Sequence, residues 1–216
     1  MDDANRRPLA SRNTAWAAAL TRLLAGTSVT PNQISMASIV MAAVSGAAFW
    51  LAGSADGGTR MLLLLCGAAF CQLRLLCNLL DGMVAIEAAK QSPDGPFWNE
   101  FPDRLADILI LVGVGYGIGI PSLGWAAATF AVLTAYVREL GRAAGAPPDF
   151  SGPMAKPHRM ATVTGAALVS LFEPLWDGRN EVLAIALWLV VIAAAFTALR
   201  RSSRLLKHLR AIRSRS

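Results

Sequence analysis

Apolar residues gather into six stretches along the chain, 34–53, 61–80, 105–120, 122–140, 160–176 and 182–199, with short polar segments between them. A helix needs about 20 apolar residues to cross ~30 Å of hydrocarbon, so the pattern predicts six membrane-spanning helices. Residues 53–60 (GSADGGTR) and 176–181 (WDGRNE) are turn-rich breaks, and Pro121 punctuates the gap between the third and fourth stretches. Ahead of the first stretch, residues 13–25 place Trp16, Leu20, Leu23 and Leu24 at helical spacing, with Arg12 and Arg22 elsewhere. That is the pattern of an amphipathic helix lying in the membrane interface, the alternative being a plain connector. Behind the last stretch, RRSSRLLKHLRAIRSRS reads as a basic helix or frayed end held against anionic headgroups, each charge worth about 1 kcal/mol near the surface. The predicted fold is all-α. A six-helix membrane bundle (33–200) lies between an N-terminal segment with the interfacial helix (1–32) and a basic tail (201–216).

Composition removes the competing classes. At 216 residues, 55% hydrophobic and 16% charged, with mean hydropathy +0.47, the chain is too apolar for a surface facing water and too apolar for disorder. Cys66, Cys71 and Cys77 fall within one apolar stretch without zinc spacing, which predicts inert apolar side chains. Residues 1–32 hold four arginines and no apolar core, so no cleavable signal peptide is expected. Net charge is +6, and its distribution carries the information. Six spans put both termini on one side, and that side holds 17 of the 20 Lys and Arg residues. Arg60 and Arg179 fall on the other side and Arg74 inside a span, which predicts cytoplasmic termini. A basic tail emerging from a bilayer is explained by lipid, and nucleic acid is not expected as a partner.

Polar residues at membrane depth cost ~2.5–3.5 kcal/mol on insertion scales, so their placement is informative. Asn78 and Asp81 close the second stretch, and Asn99, Asp103 and Asp107 open the third. Spacings of i, i+3 and of i, i+4, i+8 align each set on one helix face. Two antiparallel helices joined by a loop of about twenty residues would bring the two faces to one cavity. Oxygen-rich clusters of this kind suit a hard divalent cation and the phosphates it neutralises. Gly82, Ala85 and Gly95 leave room beside the acids, with helix packing as the alternative for any one glycine. Arg138, Arg142, Lys156, His158 and Arg159 form a basic cluster, for which the ordinary positive-inside excess is the competing reading. Arg74 is buried one turn before Asn78 and needs an anion, with Asp81 or Asp107 in reach, or it contacts a diphosphate. Glu87 and Lys90 read as solvated loop charges, Arg104 as a local ion pair or headgroup contact, and His208 as solvated.

The run Asn78-x2-Asp81-Gly82-x2-Ala85-Ile86-x8-Gly95-x3-Asn99-x3-Asp103 resembles the signature of the CDP-alcohol phosphatidyltransferase family, D-x2-D-G-x2-A-R-x8-G-x3-D-x3-D. Thr30-Pro31-Asn32-Gln33 is similar to the segment that precedes the family's first span. The resemblance implies transfer of a phosphatidyl or similar phospho-alcohol group from a CDP-linked lipid to an acceptor alcohol, with release of CMP. It implies divalent metal, Mg2+ or Mn2+, one or two ions at Asn78, Asp81, Asn99 and Asp103, with Asp103 as the general base. It assigns the CDP group to Asp81, Gly82, Ala85 and Gly95, and the phosphate of a phosphorylated acceptor to Arg138, Arg159 and Lys156. Asn78, Asn99 and Ile86 stand where the signature has Asp, Asp and Arg. Losing two carboxylates weakens the pull on a second dication, and Asp107 or Arg74 would have to compensate. The resemblance further implies a homodimer and a multi-pass protein of a bacterial inner membrane. A family-fold protein that has lost catalysis and binds lipid or nucleotide as a subunit is the alternative. A small transporter would show internal repeats, and none is visible.

Overall fold

The computed structural model describes residues 14–90 and 92–213. Arg6, Arg7, Arg12 and Arg215, and the first thirteen of the 32 residues read as free of a signal peptide, lie outside the described residues. The chain is all-helical: α1 (Ala15–Ala25), α2 (Pro31–Ala52), α3 (Gly57–Glu87), α4 (Gly95–Gly117), α5 (Pro121–Ala143), α6 (Lys156–Val169), a 3-10 segment (Ser170–Trp176) and α7 (Glu181–Arg213). Successive helices from α2 onward run antiparallel. One end of the bundle therefore collects the starts of α2, α4 and α6 with the ends of α3 and α5.

Helix starts are written in short-range chemistry. Thr30 accepts the Gln33 N–H at 3.3 Å while the Gln33 side chain accepts the Thr30 N–H at 2.9 Å, a capping box with Pro31 in the first helical turn. Pro96, Pro121 and Pro157 likewise stand in the first turn of α4, α5 and α6, there without a side-chain cap. Pro102 lies inside α4 and has no N–H, so the helix loses one backbone bond in the turn carrying Asn99 and Asp103.

Glycine sets how closely the helices approach. A Cβ on Gly46 of α2 would collide with the Leu109 carbonyl of α4, and one on Gly113 would collide with the Gly46 backbone. The α2 and α4 backbones therefore touch, a small-residue seam of the kind that serves membrane helices. Ala42, Phe49, Leu64, Ile110, Leu111, Met160 and Leu187 fill the centre of the bundle.

Among the described residues three helices are long and apolar enough to cross a membrane, within Pro31–Ala52, Gly57–Glu87 and Glu181–Ala211, which makes the chain a membrane protein by length and composition. The third and fifth apolar stretches differ from expectation. α4 begins at Gly95 rather than near residue 105, because the polar turn with Asn99 and Asp103 is helical too. The loop before it is residues 88–94, much shorter than the twenty residues inferred from hydropathy. The fifth stretch is α6 followed by a 3-10 segment containing Pro174, which cannot supply an α-helical N–H. Within that segment Glu173 is fully buried. It pairs with Arg60 and accepts the N–H groups of Asn180 (3.0 Å) and Val182 (2.9 Å), tying the starts of α3 and α7 together at the far end. The tail is the ordered continuation of α7, helical through Arg213.

Candidate functional site

At the end where α3 finishes and α4 begins lies a cavity of about 470 Å³. Its wall collects Asn78, Asp81, Gly82 and Ala85 of α3, Gly95, Asn99 and Asp103 of α4, Arg138 of α5, and Lys156 and Arg159 of α6. Every residue the sequence assigned to metal, nucleotide or acceptor phosphate thus lines one chamber. Gly82 faces open space, with nothing within 4 Å of an added Cβ, and Gly95 would meet only the Ser92 hydroxyl at 3.9 Å. Neither glycine serves helix packing.

Asp81 is buried and accepts the Ser35 hydroxyl at 2.7 Å and the Gly82 N–H at 2.6 Å, both neutral donors. Asp103 is held by cations. One of its oxygens meets the Lys156 ammonium, with Arg104 at 3.6 Å, and the other meets Arg74 at 3.4 Å. Arg74 also reaches Asp107 at 3.4 Å and the Asp103 carbonyl at 3.1 Å. Of the two anions expected for Arg74 the structure pairs it with Asp107 but not Asp81. Asp103, one turn from Asp107, takes the second place. Arg159 donates to the other oxygen of Asp107 at 2.5 Å and to the Met154 carbonyl at 2.9 Å. Arg74 and Asp107 lie behind the chamber wall, fully buried, so Asp107 is not free to act as a substitute ligand.

Among the described residues no three His, Cys, Asp or Glu side chains converge on a metal position. The donor set does fit a single hard cation at one place. Asn78 Oδ1 is buried without a hydrogen-bond partner, one turn from an Asp81 carboxylate that only neutral groups contact. A buried carbonyl oxygen left unpaired is costly, and a cation would satisfy it.

Arg138 reaches Glu100 at 2.5 Å and Glu139 at 2.8 Å and lies over the Phe150 ring. Arg104 pairs locally with Glu100 at 3.2 Å. Lys90 is not a solvated charge. Its ammonium donates to the carbonyls of Thr27 (2.7 Å), Val29 (3.3 Å) and Ala25 (3.4 Å), clamping the α1–α2 connection to the chamber rim. Asp94, also at the rim, is held below the usual carboxylate range by the Ser92 hydroxyl, the Trp98 indole N–H at 2.8 Å and the Asn32 amide at 3.2 Å.

Arg201 escaped the sequence reading because it sits in a run of seven basic tail residues. It is buried, lines the chamber, and donates to the Thr134 carbonyl at 2.7 Å and the Ser151 carbonyl at 3.0 Å. The loop 144–155 is pinned to α7 around it. Gly152 there has φ +118°, and a Cβ on it would strike Thr197. Burial alone would raise Asp149 in this loop, but hydrogen bonds from Ser151 and the nearby Arg204 and Arg201 guanidinium groups bring it below the usual carboxylate range. His208 lines a smaller cavity of about 310 Å³ between this loop and α7.

An all-helical membrane fold with a polar chamber at its helix ends defines the class of protein, and comparison with known proteins narrows it. No family model matches the chain. A curated protein of Rubrobacter xylanophilus, the bifunctional IPC transferase and DIPP synthase, is 33% identical over 124 residues, 56% of this chain. The match spans about a quarter of that protein's length, 26%. The crystal structure of Mycobacterium tuberculosis phosphatidylinositol phosphate synthase with CDP-DAG bound shares the fold, with a TM-score of 0.74 over 89% of this chain and 94% of that one at 19% identity. The same synthase in complex with manganese and citrate gives 0.73, covering 88% of each chain at 19% identity. The chain thus shares its fold with these solved structures and aligns in sequence with part of the curated relative.

Proposed function

We propose that the chain is a membrane phosphatidyltransferase of phospholipid biosynthesis, moving a phosphatidyl or similar phospho-alcohol group from a CDP-linked lipid to an acceptor alcohol and releasing CMP. The observation that carries this reading is the chamber: carboxylates, amide oxygens and cationic side chains converge at one end of an apolar bundle. Six spans, α2 to α7 with the 3-10 segment completing the fifth, place the chamber just beneath one leaflet. The excess of Lys and Arg at that end makes it the cytoplasmic side. α1 lies in the interface, and the domain boundaries follow: 1–32, the 33–200 bundle and the 201–216 tail. A bacterial inner membrane and a homodimer complete the proposal.

The donor's lipid enters from the bilayer while its CDP group sits over Gly82, Ala85 and Gly95, where absent side chains leave room. Asp81 and Asp103, with the amide oxygens of Asn78 and Asn99, would hold Mg2+ or Mn2+, one or two ions. When bound, such an ion neutralises the diphosphate and eases departure of CMP. Asp103 takes the proton of the acceptor hydroxyl as that oxygen attacks the lipid-side phosphorus. Arg138 and Arg159, with Lys156, face the acceptor and suit a phosphate on it. Proton removal and charge neutralisation are sufficient for this displacement.

Purified protein in micelles with CDP-diacylglycerol, Mg2+ or Mn2+ and a panel of alcohols should release CMP. Asp103→Asn should lower that release by about 10²–10⁴-fold, the scale of a lost general base. Undiminished release would remove Asp103 from the mechanism. The two asparagines favour a second reading, a lipid- or nucleotide-binding subunit without catalysis. Wild-type protein that binds CDP-diacylglycerol and releases nothing with any acceptor would establish it.

A further inference from the structure

We infer that the Lys156 ammonium is a resident cation of the chamber, standing beside Asp103 where a second divalent ion would otherwise be needed, so that this chain binds one divalent ion. The inference rests on the transferase reading and sharpens its metal count. Among the described residues four carboxylates line the chamber, Asp81, Glu100, Asp103 and Glu139. Three are already met by cations. Glu100 pairs with Arg138 and Arg104, Glu139 with Arg138 and Arg142, and Asp103 with Lys156, Arg104 and Arg74. Asp81 alone is contacted by neutral donors, and the unpartnered Asn78 oxygen lies one turn away. One edge of the chamber therefore retains a carboxylate that no cation contacts, with a spare oxygen beside it. At the other edge a dication would face an ammonium and two guanidinium groups across a single carboxylate, and like charges repel strongly in a half-buried site.

The ammonium is delivered by the fold rather than by chance. Lys156 is the first residue of α6, Pro157 fixes the backbone after it, and Arg159 one turn on is anchored to Asp107 and the Met154 carbonyl. Asn99 lines the same wall with an amide where a carboxylate would add the charge a second ion requires. An ammonium and a single dication then supply the positive charge that two dications would bring, with cationic side chains making up the difference.

The test is a count. Mn2+ alone is titrated into full-length protein in micelles, and free Mn2+ is read by electron paramagnetic resonance. Wild type and Lys156→Arg should each bind one ion per chain, and Lys156→Met combined with Asn99→Asp should bind two. Two ions on the wild type would overturn the inference and leave the transferase reading intact, and that count decides even where the double variant does not fold. A folded double variant that still binds one ion would overturn the role of Lys156. No ion on the wild type would overturn the inference together with the metal dependence of the transferase reading, and CMP release without added metal would then show whether transfer itself survives.

Discussion

At the far end of the bundle Glu173 is fully buried, and both of its oxygens are satisfied, by Arg60 and by two backbone N–H groups. At the chamber end the charges are just as deep but unsettled. Arg74 and Arg159 keep buried nitrogen atoms without partners, as does Arg104, and the Asn78 carbonyl oxygen is unpaired. The cluster around Glu173 is complete and serves architecture. Of these, Asn78, Arg104 and Arg159 line the chamber, the condition expected of a site whose polar atoms are completed only when it is filled.

Breaking the closed end should have the largest effect. Glu173→Ala strands Arg60 in the interior and should cost about 3–5 kcal/mol, seen as a fall in the thermal unfolding midpoint in micelles. Pairing Glu173→Leu with Arg60→Met should recover most of that loss, since packing can replace a buried ion pair. The open end should respond in the opposite sense. Asn78→Leu removes an unpaired carbonyl and should leave the midpoint unchanged or raise stability by about 1 kcal/mol, while CMP release collapses. A large drop in stability there would mean that the amide is structural and that the contrast between the two ends is false.

The smallest effect concerns the loop that roofs the chamber. Asp149 has a folded-state pKa below its unfolded value, so its contribution to stability is present above the ordinary aspartate range and is lost as pH falls through the lowered value. Asp149→Asn should flatten the acid limb of the melting profile slightly and leave the neutral region unchanged.

Hydropathy alone located α2, α3 and α7, because each is a long apolar run. The first turns of α4 escaped it: Asn99 and Asp103 interrupt the apolar pattern, yet the 3.6-residue period continues through them with Pro96 at the helix start. Spacing within α3 and α4 was enough to gather Asn78, Asp81, Asn99 and Asp103 on two faces, and the chamber contains all four. What spacing does not carry is pairing across the sequence. Lys156 meets Asp103 over 53 positions and Arg60 meets Glu173 over 113. Glu173 did leave a trace, a lone acid in an apolar stretch next to Pro174, with Arg60 at the same end of the bundle. Arg201 left none, being one arginine among many in a basic run.

Where the α2 and α4 backbones meet at Gly46 and Gly113, no side chain is present to slide or repack. That half of the molecule behaves as a keel. Gly115 and Gly124 bring the α4 and α5 backbones into the same contact, so the helix that carries Asn99 and Asp103 is held against both neighbours with no side chain between them to give way.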